Sequence, residues 1–289
     1  MKIGFIGLGI MGSRMAANLL TNGADLIIHN RSKDKAAQLL KGGATWANSL
    51  ADMQEVDILF SMLAHPQAVS SMALGPDGFL AHLRPGTLWI DCSTVNPSFT
   101  RDMAAEARKH NIDFLEAPVA GTKPQAQNAQ LVFFVGGDAD NLEKARPCFE
   151  KMGQRIVHVG DHGMGMSLKV VINTLLGTSM AAFAEAMALG EGLGLPQETL
   201  FNALLSGPVT APYLASKREL MSSADYAPQF PLQWMHKDMQ MAAVAAYESG
   251  VAAPVANATK ELFQQTVNAG MGEQDFSVIY QFLSKAKLD

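Results

Sequence analysis

Residues 2–20 read KIGFIGLGIMGSRMAANLL. KIGFIG is a short apolar run ending in glycine, as a buried parallel strand does. SRMAANLLTNG, residues 13–23, then sets Met15, Leu19 and Leu20 at helical spacing and stops on Gly23. Between the two stand Gly7, Gly9 and Gly12, in the order G-x-G-x-x-G. Alone, that spacing arises by chance in glycine-rich chains. Here it closes a strand and opens a helix, the setting a dinucleotide-binding turn requires. Gly7 allows the tight turn, Gly9 lets backbone approach a pyrophosphate, and Gly12 lets helix and strand pack closely. The helix start adds free N–H groups and a dipole that favours phosphate.

The same alternation continues downstream. DLIIHN (25–30), VDILFSML (56–63), GTLWIDCST (86–94), IDFLEAPV (112–119) and QLVFFVGG (130–137) read as strands. Helical stretches such as SKDKAAQLLKGG and PSFTRDMAAEARKH lie between most of them. Strands alternating with helices imply crossover units and a parallel sheet covered on both faces. From Gly163 onward no run is strand-like, and long Ala- and Met-rich helical segments are broken at Pro196, Pro208, Pro212 and Pro231. The expectation is an α/β chain: a Rossmann-type doubly wound domain over 1–162, then an all-α domain over 163–289 that opens with a long interdomain helix.

The end of the second strand reads HNRSK. An NAD site usually has a carboxylate there for the ribose hydroxyls. Asn30, Arg31, Ser32 and Lys33 offer instead an amide, a guanidinium, a hydroxyl and an ammonium, a set suited to a 2′-phosphate. This predicts NADP, with NAD as the alternative. The competing reading of Arg31 is a solvated loop charge.

Composition limits the function classes. Of 289 residues, 48% are hydrophobic and 17% charged, which supports a sizeable core rather than disorder. A net charge of −5 argues against a general nucleic-acid binder. Two cysteines, Cys92 and Cys148, make no disulfide framework and point to a reducing, cytoplasmic setting. Glycines interrupt the apolar start too early for a signal peptide. The apolar run 170–189 is long enough for a membrane span, but Asn173, Thr174, Thr178, Ser179 and Glu185 fall within it, and a charge at bilayer depth is costly. A buried helix fits better. The seven histidines show no metal-ligand spacing, so no metal site is expected.

That helix carries Lys169 and, four residues on, Asn173, which share one face. Leu168, Val170, Val171 and Ile172 around the lysine are apolar. An ammonium in apolar surroundings gives up its proton more readily, which suits proton transfer near neutral pH. A snorkelling lysine at a helix end is the plain alternative.

Taken together, four motifs in order resemble the β-hydroxyacid dehydrogenase family over essentially the whole chain. GFIGLGIMGSRMAANLL matches its cofactor motif, and DCSTVNP (91–97) with EAPVAGTKPQAQNAQL (116–131) its substrate stretch. GMGMSLKVVIN (163–173) matches its catalytic helix and FPLQWMHKDMQMA (230–242) its C-terminal motif. The resemblance implies that Lys169 is the catalytic lysine with Asn173 as helical neighbour. It puts Ser93, Thr94, Gly121, Thr122, Phe230 and Asp238 at the substrate. It puts Gly7, Leu8, Gly9, Ile10, Met11, Gly12, Asn30, Arg31, Ser32, Met62, Leu63, Thr94 and Lys237 at the cofactor. Ala120 stands where many members have serine, and Thr122–Lys123–Pro124 follows where many have a second glycine. This version is closer to the glyoxylate/succinic semialdehyde reductases, and 3-hydroxyisobutyrate or tartronate semialdehyde enzymes are the alternatives.

The activity so implied is NADP-dependent reduction of a small aldehyde acid, with Lys169 as general acid and base. An imine reductase shares this architecture but commonly lacks that lysine. A non-catalytic NADPH-binding module would have no use for the Lys169–Asn173 pair. An apolar helical half also suggests a homodimer or homotetramer.

Overall fold

The structure, a computed structural model, describes residues 1–285. It divides into two compact units, Met1–Val170 and Val171 onward. The first runs β1 (Lys2–Ile6), α1 (Gly12–Thr21), β2 (Asp25–His29), α2 (Ala37–Lys41), β3 (Thr45–Trp46), β4 (Ile58–Ser61), α3 (Pro66–Leu74), β5 (Leu88–Asp91), α4 (Pro97–Lys109), β6 (Asp113–Glu116), β7 (Val119–Ala120), α5 (Lys123–Gln127), β8 (Leu131–Gly137), α6 (Ala139–Phe149) and β9 (Gly153–Gly160). The sheet order is β3-β2-β1-β4-β5-β6-β8-β7, with β9 on β8.

Both faces of this sheet are buried, and the strands show why. β1, β4 and β5 are nearly continuous apolar runs whose alternate side chains point to opposite faces. Ile3, Phe5, Ile58, Phe60, Leu88 and Ile90 join Met15 and Leu19 of α1 in one core. Ile6, Leu59 and Trp89 enter the other, with Val69 of α3 and Met103 of α4. Phe5 stacks on Phe60 at 5.9 Å in the first, and Trp89 meets Phe114 edge-on at 4.7 Å in the second.

Three local expectations change. The sheet is parallel-dominated rather than wholly parallel, because β8 runs antiparallel to both β6 and β7. Only residues 117–130 join β6 to β8, and β7 and one short helix occupy them, so the chain returns instead of crossing over. β9 is a strand beyond those that the apolar runs predict. Its GQRIVHVG has polar residues through it because it is a partly exposed strand, paired to β8 alone. The helix expected over 32–43 is a 3₁₀ turn, Lys33–Ala36, followed by the five-residue α2.

α7 (Met164–Gly192) follows as one helix. The unit division falls inside it because its first turn belongs to the first unit. Met166 lies in that unit's core, and a Cβ on Gly165 would collide with the Phe134 carbonyl of β8. The second unit continues with α8 (Gln197–Ser206), α9 (Arg218–Ser223), α10 (Leu232–Ser249), α11 (Pro254–Thr266) and α12 (Ile279–Lys285), with no strand among its described residues. Pro196 and Pro231 cap α8 and α10, positions where a missing N–H costs nothing. By length and composition alone α7 could cross a membrane. Its Met180, Phe183 and Met187 are core residues of the second unit, with Phe201, Met235, Met239 and Phe263.

Candidate active site

In the first unit, the glycine loop links β1 to α1. Gly7 has φ +97°, its N–H donates to the His29 carbonyl at 3.0 Å, and a Cβ there would collide with the Met62 carbonyl. A Cβ on Gly12 would strike the Gly7 carbonyl, so loop and helix touch backbone to backbone. A Cβ on Gly9 would meet nothing within 4 Å. That open face, beside a helix start that no side chain caps, fits the pyrophosphate of a dinucleotide. Leu8, Ile10 and Met11 lie in the same loop between β1 and α1.

At the end of β2, Asn30 turns inward. Its Oδ1 accepts from Leu8 N–H at 3.0 Å, and its amide nitrogen donates to the Ser32 carbonyl at 2.9 Å. Asn30 therefore ties the glycine loop to the strand tip. Arg31, Ser32 and Lys33 are exposed. Lys33 stands 5.3 Å from the Trp46 ring centre, and the His29 ring stacks on Trp46 at 5.7 Å. These groups form a cationic, aromatic-backed edge beside the cradle.

The tips of β4 and β5 are joined by a buried polar chain. Trp89 Nε1 donates to Ser61 Oγ at 2.8 Å, and Ser61 Oγ donates to Asp91 Oδ1 at 2.8 Å. Ser93 Oγ donates to the same oxygen at 2.6 Å and accepts from Leu63 N–H at 2.9 Å. Ser93 is wholly buried, so its hydroxyl braces the Met62–Leu63 loop under the cofactor cradle. Thr94, the next residue, is partly exposed. Cys92, between Asp91 and Ser93, is fully buried, and burial together with Asp91 holds its thiol well above the usual range. It stays a neutral thiol and cannot act as a nucleophile.

Gly121 (φ +116°) is exposed after β7. The Thr122 hydroxyl and N–H both meet Gln125 Oε1, at 3.1 and 2.9 Å, closing a capping box on α5. Lys169, on the second turn of α7, is 8% exposed, so its ammonium is held inside the protein.

In the second unit, the first turn of its share of α7 carries Asn173, 1% exposed. Its amide nitrogen donates to Asp238 Oδ2 at 2.6 Å, and Lys237 Nζ lies 2.6 Å from Asp238 Oδ1. A carboxylate accepts only, so Asp238 dictates which way the Asn173 amide faces. Asn173 Oδ1 is left buried with no hydrogen-bond partner among the described residues. An orphaned acceptor of this kind costs stability and marks a position awaiting a donor.

The Phe230 backbone is gripped by a buried ion pair that no motif marked. Lys217 Nζ is 3.0 Å from both Asp275 oxygens, and Asp275 also accepts from the N–H groups of Gln229, Phe230 and Ser277. The Phe230 ring meets Phe276 edge-on at 5.7 Å. The partners stand 58 residues apart, so nothing in the local sequence connects them. Among the described residues no cluster of metal-binding side chains occurs.

Residues 2–160 match the family model described as the NAD binding domain of 6-phosphogluconate dehydrogenase. Residues 163–283 match that of the NAD-binding region of NADP-dependent 3-hydroxyisobutyrate dehydrogenase. Glyoxylate/succinic semialdehyde reductase 2 of Arabidopsis thaliana is 34% identical across 99% of this chain and 80% of its own. The NAD-dependent L-serine dehydrogenase of Pseudomonas aeruginosa is 39% identical across 96% of each. The solved 3-hydroxyisobutyrate dehydrogenase of Mycobacterium tuberculosis, with L-serine, matches 98% of both chains at 31% identity and a TM-score of 0.87. Matches through both units, over a glycine cradle and a lysine-bearing helix, make the chain a member of the β-hydroxyacid dehydrogenase family of NAD(P)-dependent oxidoreductases.

Proposed function

We propose that this protein is an NADP-dependent reductase of a small aldehyde acid, glyoxylate or succinic semialdehyde, with Lys169 as general acid and base. The observation that carries the reading is the pairing of a buried lysine with a buried, orphaned amide oxygen one turn further along the same helix. NADPH supplies the hydride. As hydride reaches the carbonyl carbon, negative charge grows on oxygen; the Lys169 ammonium stabilises that charge and delivers a proton to the oxygen. Asn173 Oδ1, aimed by Asp238, accepts from the lysine or from the product hydroxyl. Thr94, the Gly121–Thr122 turn and Lys123 offer donors to the substrate carboxylate, and Phe230 is the aromatic that the family resemblance assigns to the substrate. In oxidation Lys169 starts neutral and takes the proton.

The cationic edge of Arg31, Ser32 and Lys33 supports NADP, since no carboxylate stands there to receive ribose hydroxyls. The 39% identity to an NAD-dependent L-serine dehydrogenase favours a second reading, oxidation of a β-hydroxy acid with NAD. A substrate and cofactor panel decides between them. Initial rates with NADPH and NADH are measured on glyoxylate, succinic semialdehyde, methylmalonate semialdehyde and tartronate semialdehyde, and with NAD on L-serine and 3-hydroxyisobutyrate. NADPH-dependent turnover of the first two is expected, with Lys169→Ala slower by about 10²–10⁴ while still binding cofactor. Turnover near wild type in that variant would sink the lysine's role.

Two buried free cysteines suit a cytosolic setting. Exposed Val171, Leu175 and Leu189 on α7 suit a homodimer or homotetramer, whose mass sedimentation would read directly.

A further inference from the structure

Gly163, immediately before α7, has no side chain with which to cap the helix. The acceptor comes from far away in the chain. Glu116, the last residue of β6, is wholly buried, and its Oε1 accepts from Gly163 N–H at 2.6 Å and Gly165 N–H at 3.1 Å. Space has been cleared for it. A Cβ on Gly136, its register partner on β8, would overlap Oε1. The other oxygen, Oε2, is buried without a hydrogen-bond partner among the described residues. A carboxylate at a helix start satisfies donors the helix cannot satisfy itself and sits at the favourable end of the dipole.

We propose that Glu116 is a positioning residue for the catalytic lysine: its carboxylate caps the first turn of α7 and thereby holds Lys169 in place. The inference rests on the reading of Lys169 as the proton donor. Lys169 follows Gly165 by four residues, so it stands on the same helical face. Helical side chains lean toward the N-terminus, which carries the lysine stem back over the turn that Glu116 holds. That turn is also pressed against β8 through Gly165 and anchored by Met166 in the core, and the carboxylate is the polar contact that ties its N–H groups to β6.

The clamp has an adjustable strength. Burial pushes the Glu116 carboxyl up to about 7, against the N–H groups of Gly163, Met166 and Gly165, which pull it down. The ionisable groups on the surrounding elements are Asp91 on β5, Arg101 on α4, His158 on β9, Asp161 and His162 in the connecting loop, and Lys169 itself. Above neutrality the bonds are charge-assisted and stronger; below it they are bonds to a neutral acid.

The test compares wild type, Glu116→Gln and Lys169→Ala in kcat, KM and NADPH affinity, from about pH 5.5 to about 9. Glutamine keeps an acceptor oxygen and removes a buried charge, so the variant should fold. Wild-type kcat should fall on the order of tenfold as pH drops through about 7, and Glu116→Gln should stay at that lower plateau at every pH, with NADPH affinity unchanged. A variant that keeps the wild-type rate at high pH, or keeps the acid limb, overturns the positioning role. Lys169→Ala at wild-type rate overturns the proton-donor reading and the positioning role with it. Lys169→Ala inactive beside an unaffected Glu116→Gln overturns the positioning role alone.

A second measurement needs no substrate. In protein labelled with ¹⁵N-glycine, the Gly163 and Gly165 amide resonances should shift together with a midpoint near 7. Resonances that stay still across that range overturn the adjustable strength, and resonances that Glu116→Gln also leaves unmoved overturn the clamp itself.

Discussion

Asn173 donates to Asp238 at 2.6 Å across 65 residues of chain, and both side chains are buried. The bond fixes the amide's orientation and leaves its oxygen as a committed acceptor. Asp238→Asn removes that dictate, because an amide can donate as well as accept. It also leaves the Lys237 ammonium without its carboxylate. The expected result is a folded protein with kcat reduced roughly 10- to 100-fold, of the size found when a supporting hydrogen bond is lost. Steady-state kinetics beside circular dichroism checks it; a wild-type kcat would mean the amide needs no orienting.

Arg31 is exposed beside the cradle, and both polar ends of Asn30 are already engaged, so Asn30 cannot take over a contact the guanidinium would make. Arg31→Ala should therefore raise KM for NADPH by about 10- to 100-fold, the worth of one hydrogen bond to a charged group, and leave NADH kinetics untouched. Equal effects on both cofactors would show that the guanidinium does not meet a 2′-phosphate.

Lys217 and Asp275 are 3% and 0% exposed. Removing one partner leaves the other charge buried, which costs about 3–5 kcal/mol. Lys217→Met should lower Tm markedly and loosen the Phe230 segment that Asp275 holds. The double variant Lys217→Met/Asp275→Asn should regain much of the loss, because it leaves no uncompensated charge. Thermal melts of Lys217→Met, Asp275→Asn and the double variant give the comparison, and additive losses would contradict it.

Glu116 also sets a pH dependence of stability. Its carboxyl rises from an ordinary 4.5 to about 7 on folding, so between those values the folded chain binds more protons than the unfolded one. Stability from this group is complete below pH 4.5 and is lost as pH rises through about 7. At about 1.4 kcal/mol per unit the full effect is roughly 3 kcal/mol. Wild-type Tm should drop across this window, and Glu116→Gln should flatten the drop. Parallel melting curves for the two proteins would exclude the carboxyl as its source.

Much of this protein was legible along the chain because local physics wrote it there. A strand, a glycine turn and a helix occupy neighbouring residues, so the cofactor cradle and the parallel strands β1, β2, β4, β5 and β6 could be read from periodicity and steric need, whereas the two-residue β3 is too short to leave a pattern. The long helix carrying Lys169 and Asn173 announced itself by continuous apolarity, and four ordered motifs carried the family. The folded structure decided what depends on residues distant in sequence. It reversed β8, because a short connection cannot make a crossover. It spent the hydroxyl of Ser93 on Asp91 and Leu63, and turned Asn30 toward Leu8. It also brought Asp238 to Asn173, Lys217 to Asp275, and Glu116 to the start of the lysine helix. Hydrogen bonds and ion pairs act over about 3 Å in space whatever the separation along the chain, so no local pattern encodes these pairings. They form only when packing of the apolar elements brings their partners within reach.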